Sequence, residues 1–204
     1  MLPNKGEDES TRKDGVNIGI DESRNGEPYE IYVAVFSKGP LESASQKKGK
    51  DNGRENICDI TDEDWFEYII LPRVEKDILL EYRSKLACIS SFVMSNLRHG
   101  RTIDTLVVDG ETTHSFEEDL YKTIKTMAYP ERSRDFLMPE YIVYEPRADV
   151  NYEIVNKADR VAYQLKLYHE RNIGQIKDRW VDYKLNPDWG LFKQVFNSID
   201  IIDG

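Results

Sequence analysis

The stretch VNIGIDES (residues 16–23) decides how the rest of the chain is interpreted. Its apolar side chains Val16, Ile18 and Ile20 alternate with small or polar ones, which is the period of a β-strand. The run ends in two adjacent acids, Asp21 and Glu22. An ionised group beside apolar residues is costly unless it is paired or bound to a cation. The stretch therefore predicts a buried strand that delivers a carboxylate to one edge of a sheet.

The pattern of apolar residues predicts four more strands and three helices. YEIYVAVFS (29–37) follows RNGEP, whose Asn-Gly and Pro are typical of a tight connection, so the first two strands are expected to be antiparallel neighbours. The other predicted strands are DWFEYIILP (64–72), TIDTLVVDG (102–110) and EYIVYEP (140–146). Apolar residues at steps of three and four predict helices over 73–97, 115–127 and 152–170.

The order β-β-β-α-β-α-β-α predicts an α/β fold with a mixed five-stranded sheet covered by helices. This order is that of the ribonuclease H-like folds. We expect one domain over residues 16–170, a flexible tail over 1–15, and a C-terminal extension (171–204) packed on the domain. Residues 38–57 are rich in Gly, Ser and Lys, which predicts a flexible surface loop.

Composition limits the classes of function. The net charge of -10 argues against a strong non-specific nucleic-acid binder, but it is compatible with a metal-dependent nuclease, since a carboxylate cluster is itself acidic. The two cysteines do not make a disulfide scaffold. No apolar run is long enough to cross a membrane and the first residues lack the apolar core of a signal peptide, so a cytoplasmic protein is expected.

Two short motifs resemble those of a nuclease family. GIDES (19–23) is similar to the opening motif of ribonuclease HII, and VVDG (107–110) is similar to the later Asp-Gly strand of that family. The resemblance implies that Asp21, Glu22 and Asp109 bind metal. It also implies a fourth acid after the fifth strand, for which the nearest match is Asp149. The Gly-Arg-Gly that the family uses to read a ribose 2′-hydroxyl is replaced here by Ser-Arg-Asn-Gly (23–26).

A second resemblance concerns the last predicted helix. An uncharacterised bacterial and archaeal family also opens with Asp-Glu-Ser and ends with a helix that carries Ala-Asp-x-x-Ala. This chain has Asp-Glu-Ser at 21–23 and Ala-Asp-Arg-Val-Ala at 158–162. The resemblance implies a ribonuclease H-like fold in which Asp159 is the late metal ligand. Asp149 and Asp159 are thus alternatives for that position.

These residues together predict a phosphodiesterase site. Carboxylates from different strands suit Mg²⁺ or Mn²⁺, and a pair of such cations supports hydrolysis of nucleic acid, whether RNA, DNA or a hybrid. Asp21, Asp109 and Asp159 are the expected catalytic residues. The alternative is a ribonuclease H-like scaffold without catalysis that serves as an interaction module, because a fold does not establish a function.

Overall fold

The computed structural model describes residues 15–23, 29–44, 64–72, 78–110, 115–128, 138–171 and 184–185 of the chain. Within these ranges the chain forms a sheet and flanking helices. The strands are β1 (Gly15–Ser23), β2 (Tyr29–Ser37), β3 (Asp64–Pro72), β4 (Thr102–Asp109) and β5 (Tyr141–Glu145). The helices are α1 (Ile78–Arg98), α2 (Phe116–Ala128), α3 (Ala148–Asn151) and α4 (Glu153–Arg171).

The five strands form one mixed sheet in the order β3-β2-β1-β4-β5. The hairpin strand β2 is antiparallel to both β1 and β3, whereas β4 is parallel to β1 and to β5. The expected α/β class with a mixed five-stranded sheet is confirmed. The parallel part of the sheet matters most for function, because the carboxyl ends of β1, β4 and β5 meet at the same edge.

Helices cover both faces of the sheet, so its central strands are apolar on both sides. On one face α1 and α2 pack against alternate residues of β1, among them Ile18 and Ile20. On the other face α4 packs against the intervening residues of β2, such as Val33 and Val35. Because successive side chains of a strand point to opposite faces, neighbours in sequence enter different environments. This alternation separates Asp21 from Glu22.

The last predicted helix, over 152–170, is confirmed as α4, which spans Glu153–Arg171. The short α3 before it was not predicted, and Tyr152 between α3 and α4 has an extended backbone. The first residues of the predicted surface loop pair with this junction: the N–H of Ala44 donates to the carbonyl of Asn151, and the N–H of Glu153 donates to that of Glu42. Periodicity does not reveal this break, since it arises from pairing with a distant segment.

Several expectations lie outside the described residues. These are the tail over 1–14, the loop beyond residue 44, and the extension apart from Arg171 and residues 184–185. Lys184 forms a parallel bridge with Tyr68 of β3, and the N–H of Leu185 donates to the Tyr68 carbonyl at 2.9 Å. Among the described helices, none is both long and apolar enough to span a membrane.

Candidate functional site

The candidate site lies where the parallel strands β1, β4 and β5 end. Ile20 of β1 is in register with Val108 of β4, so the next residues, Asp21 and Asp109, emerge side by side. Asp109 is also in register with Glu145 of β5. Three adjacent strands thus end in acidic residues. The convergence of Asp21 and Asp109 expected from the sequence is therefore observed at the level of strand register.

Asp21 is the most deeply buried acid of this edge, with 7% of its surface exposed. Among the described residues its carboxylate accepts one hydrogen bond, from the N–H of Glu22 at 2.7 Å. Burial raises the pKa of Asp21 well above its usual value, and the negative charges of Glu22, Asp159 and Asp109 raise it further. A carboxylate in this setting is stabilised either by a proton or by a cation.

Asp109 is less buried and is held by the chain that follows β5. The N–H of Ala148, the first residue of α3, donates to Oδ1 of Asp109 at 2.6 Å. Partial burial raises the pKa of Asp109; the bond from Ala148 opposes this shift and the charge of Asp149 adds to it. The side chain is thereby fixed in orientation without being neutralised.

Helix α4 brings Asp159 to the Asp21 side of the site. The helix crosses β1 at Gly19, where an added Cβ atom would lie 2.7 Å from the main chain and side chain of Ile154. Only glycine permits this close approach. The charge of Asp159 contributes more to the raised pKa of Asp21 than the charge of Asp109 does. Asp159 is therefore part of the candidate site, because its charge acts on Asp21.

Asp149 is part of the candidate site because its charge acts on the other central acid, Asp109. Asp149 lies in α3, directly after Ala148. The charge of Asp149 is not among the causes of the Asp21 shift, and that of Asp159 is not among those of the Asp109 shift. The two residues that sequence reasoning treated as alternatives thus both lie at this edge, one beside each central acid.

Glu22 faces the opposite side of the sheet, toward α1. There Lys85, which is only 3% exposed, places its Nζ atom 3.2 Å from Oε1 and 3.0 Å from Oε2 of Glu22. The same ammonium group donates to the main-chain carbonyl of Asp109 and lies 5.2 Å from the centre of the Tyr144 ring. Lys85 thus connects the ends of β1 and β4 and compensates the charge of Glu22.

Sequence reasoning missed Lys85. Its signal is its position at the start of an uncharged stretch of α1, since residues 86–97 hold no charged side chain. A lysine at the border of such a stretch is pulled into the core with its helix. Gly110 completes the arrangement: its φ is +149°, and a Cβ atom there would lie 2.6 Å from Nζ of Lys85.

Other charged residues of β5 and α4 are bound locally. The Glu145 carboxylate, which sequence reasoning also missed, accepts a hydrogen bond from Nδ2 of Asn151 at 2.8 Å. Lys157 forms a salt bridge with Asp64, and Arg160 forms one with Glu153 at 3.0 Å. Both basic residues of α4 therefore have acidic partners within the protein.

The donor chemistry of the edge suits a hard divalent cation, because carboxylate oxygens are the ligands that Mg²⁺ prefers. Within the described residues, however, no three His, Cys, Asp or Glu side chains are grouped closely enough to hold a metal ion as they stand. The acids are gathered at one edge without converging on a single point. A comparison with protein-family models gave no match, and a search of curated proteins gave no similar sequence.

Proposed function

We propose that the chain is a ribonuclease H-like domain that binds divalent cations at its acidic edge and hydrolyses phosphodiester bonds in nucleic acid. The observation that carries this proposal is the meeting of Asp21 and Asp109 at the ends of adjacent parallel strands, with the charge of Asp159 acting on Asp21. Three carboxylates from three separate elements are thereby brought to one edge. Burial and like charge raise the pKa values of Asp21 and Asp109, and clustered acids with such shifts are typical of functional sites.

The sheet supports the finer assignment of the fold. A sheet in the order β3-β2-β1-β4-β5, antiparallel only at β2, with helices on both faces, is the arrangement of ribonuclease H-like domains. In that arrangement the first strand is central and its acid lies between those of the neighbouring elements. Asp21 of β1 occupies this central position, which agrees with the resemblance of GIDES and VVDG to ribonuclease HII.

The charges of the site support binding of two divalent cations. Lys85 compensates Glu22, which leaves Asp21, Asp109, Asp149 and Asp159 as acids of the edge. Carboxylates gathered in this way are the ligands that a pair of divalent cations prefers. Bound Mg²⁺ or Mn²⁺ would supply an activated water and stabilise the leaving oxygen. We assign the metal-binding role to these four acids and a structural role to Glu22.

A non-catalytic scaffold is the second candidate. It is favoured by the absence, in the described part of the chain, of three side chains already grouped around a metal position. On this alternative the acidic edge is a surface for a protein partner, and its raised pKa values have no catalytic use. The two candidates differ in whether the chain cleaves nucleic acid when Mn²⁺ is supplied.

Titration with Mn²⁺ followed by a cleavage assay tests the proposal. Calorimetry should detect Mn²⁺ binding to the parent, and Mn²⁺ at about 100 times its Kd should raise the free energy of unfolding by about 2.7 kcal/mol. The parent should then cleave a labelled RNA–DNA hybrid, single-stranded RNA or DNA, or structured DNA. In Asp21→Asn both the binding and the cleavage should be lost.

Asp104→Asn is the matched control, because Asp104 is an exposed acid near the start of β4, far along the strand from Asp109. It removes the same charge and should keep both activities. Mn²⁺ binding without cleavage of any substrate would favour the scaffold candidate. No binding of Mn²⁺ by the parent would refute the metal site.

A further inference from the structure

Arg147 has a backbone conformation that its side chain disfavours. With φ 64° and ψ 33°, it is the one described residue other than glycine that lies in the left-handed region. This region is costly for residues with a Cβ atom and is usually occupied by Gly or Asn. An arginine here means either that the strain is tolerated or that its side chain contributes something that glycine lacks.

The turn that contains Arg147 is part of the candidate site. Arg147 lies between Glu145, which is in register with Asp109, and Ala148, whose N–H binds the Asp109 carboxylate. The left-handed turn directs the Ala148 N–H at that carboxylate. Arg147 therefore directly precedes the residue, Ala148, whose N–H binds the proposed metal ligand Asp109.

The Arg147 side chain is exposed, and it makes no hydrogen bond or salt bridge with any described residue. This is unusual for a guanidinium group flanked in sequence by Glu145 and Asp149. Among the described residues, two other basic side chains are already engaged: Lys85 with Glu22, and Arg160, which follows Asp159 in sequence, with Glu153. Arg147 is therefore an exposed cation next to Ala148, which binds Asp109, where an incoming phosphate can reach it.

We propose that Arg147 is a substrate-binding residue that contacts a backbone phosphate of the nucleic acid bound at the acidic edge. This inference rests on the proposed function and names the group that positions its substrate. Guanidinium groups bind phosphate through paired hydrogen bonds. A phosphate adjacent to the one being cleaved would be held by Arg147 while the acids act on the scissile phosphate.

Substitution by glycine separates the two roles of Arg147, the backbone strain and the side-chain contact. Arg147→Gly relieves the strain, so its thermal midpoint should equal or exceed that of the parent. On a labelled oligonucleotide that the parent cleaves in Mn²⁺, the KM should rise about tenfold with a much smaller change in kcat. The slope of log(kcat/KM) against log[salt] should become shallower by about one.

Two further variants complete the test. Arg147→Asn also tolerates the left-handed turn and should match the glycine variant. Arg98→Gln removes one positive charge at the end of α1, beside the start of β4, and should leave the KM and the salt slope as in the parent. An unchanged KM and slope in Arg147→Gly, with the parent active, would overturn the role of Arg147 alone. A parent that neither binds Mn²⁺ nor cleaves would remove the proposed function and this inference with it.

Discussion

Asp21 and Glu22 are consecutive in sequence, yet the two faces of the sheet give them opposite electrostatic environments. Glu22 faces α1, where the buried ammonium group of Lys85 lies 3.0 Å from its Oε2 atom. Asp21 faces α4. The negative charges that act on it are those of Glu22, Asp159 and Asp109, and its one hydrogen bond from the described residues comes from a backbone N–H. One carboxylate is compensated by the protein, and the other is surrounded by like charge.

This difference indicates which of the two acids is available to a cation. A buried charge with a partner of opposite sign is satisfied, and taking that partner away is costly. A buried carboxylate among other carboxylates gains from any cation that enters. Ribonuclease HII likeness implies a metal role for both residues, whereas the packing of this chain separates a structural acid from a candidate ligand.

The largest expected effect comes from removing Lys85. Lys85→Met keeps the apolar stem but leaves Glu22 buried without its cation, so we expect a loss of about 3–5 kcal/mol in the free energy of unfolding. Lys85→Met combined with Glu22→Gln should recover most of this loss, because the uncompensated charge is gone. Urea unfolding of the four proteins of this double-mutant cycle measures the coupling.

Lys122→Met is the matched control. Lys122 pairs with Glu118 at 2.7 Å on the exposed face of α2, and such pairs contribute little. A loss in Lys85→Met as small as that in Lys122→Met, or a double variant no better than the single one, would contradict the description of Lys85 and Glu22 as a buried compensated pair.

The second prediction concerns Asp21 and the dependence of stability on pH. The folded state holds the Asp21 proton at pH values where the unfolded chain, with a pKa of about 3.9, has lost it. Folding stability without metal therefore falls as pH rises from about 4 through the raised pKa of Asp21. Asp21→Asn should remove this penalty and raise the free energy of unfolding at neutral pH by about 1–3 kcal/mol.

Urea unfolding of parent and Asp21→Asn from pH 4 to pH 8, without metal, checks this prediction. The difference between them should shrink toward pH 4. Glu67 of β3 is a second acid whose pKa is raised by burial, so Glu67→Gln should also flatten the pH profile. Mn²⁺ should still stabilise Glu67→Gln but not Asp21→Asn. An Asp21→Asn variant less stable than the parent at neutral pH would contradict the environment described for Asp21.

The sequence allowed the mixed α/β sheet and the side-by-side positions of Asp21 and Asp109 to be predicted because both depend on short-range patterns. Alternation in β1 and β4 identifies strands, and the two strands end in Asp21 and Asp109, so a parallel arrangement is enough to bring them together. The burial of Lys85 and the backbone conformation of Arg147 depend instead on tertiary packing. Lys85 is buried only because Glu22 and the Asp109 carbonyl receive it, and the conformation of Arg147 depends on the turn between β5 and α3.

The choice between Asp149 and Asp159 was not decidable from the sequence for a related reason. Each matched a different family motif, and the distance from each to Asp21 or Asp109 depends on how the chain turns after β5. Helix α3 begins beside Asp109, and the break at Tyr152 then lets α4 cross β1 at Gly19. The predicted helix over 152–170 corresponds to α4 alone, so the sequence pattern gave no sign of α3 or of the turn before α4.

The smallest expected effect separates these two acids. Asp159→Asn should lower the pKa of Asp21 and leave that of Asp109 unchanged, because the charge of Asp159 acts on Asp21. Asp149→Asn should lower the pKa of Asp109 and leave that of Asp21 unchanged. Either substitution should change the free energy of unfolding by only about 0.5 kcal/mol.

Carboxyl ¹³C chemical shifts followed through a pH titration without metal report the two pKa values separately. If each substitution lowers only one pKa, then Asp159 acts on Asp21 and Asp149 acts on Asp109, as described for the side of the sheet that α4 covers. A fall in both pKa values with either substitution would instead mean that the four acids titrate as one coupled group. In that case Asp149 and Asp159 would act on a shared cation position, and the distinction between a pair around Asp21 and a pair around Asp109 would be lost.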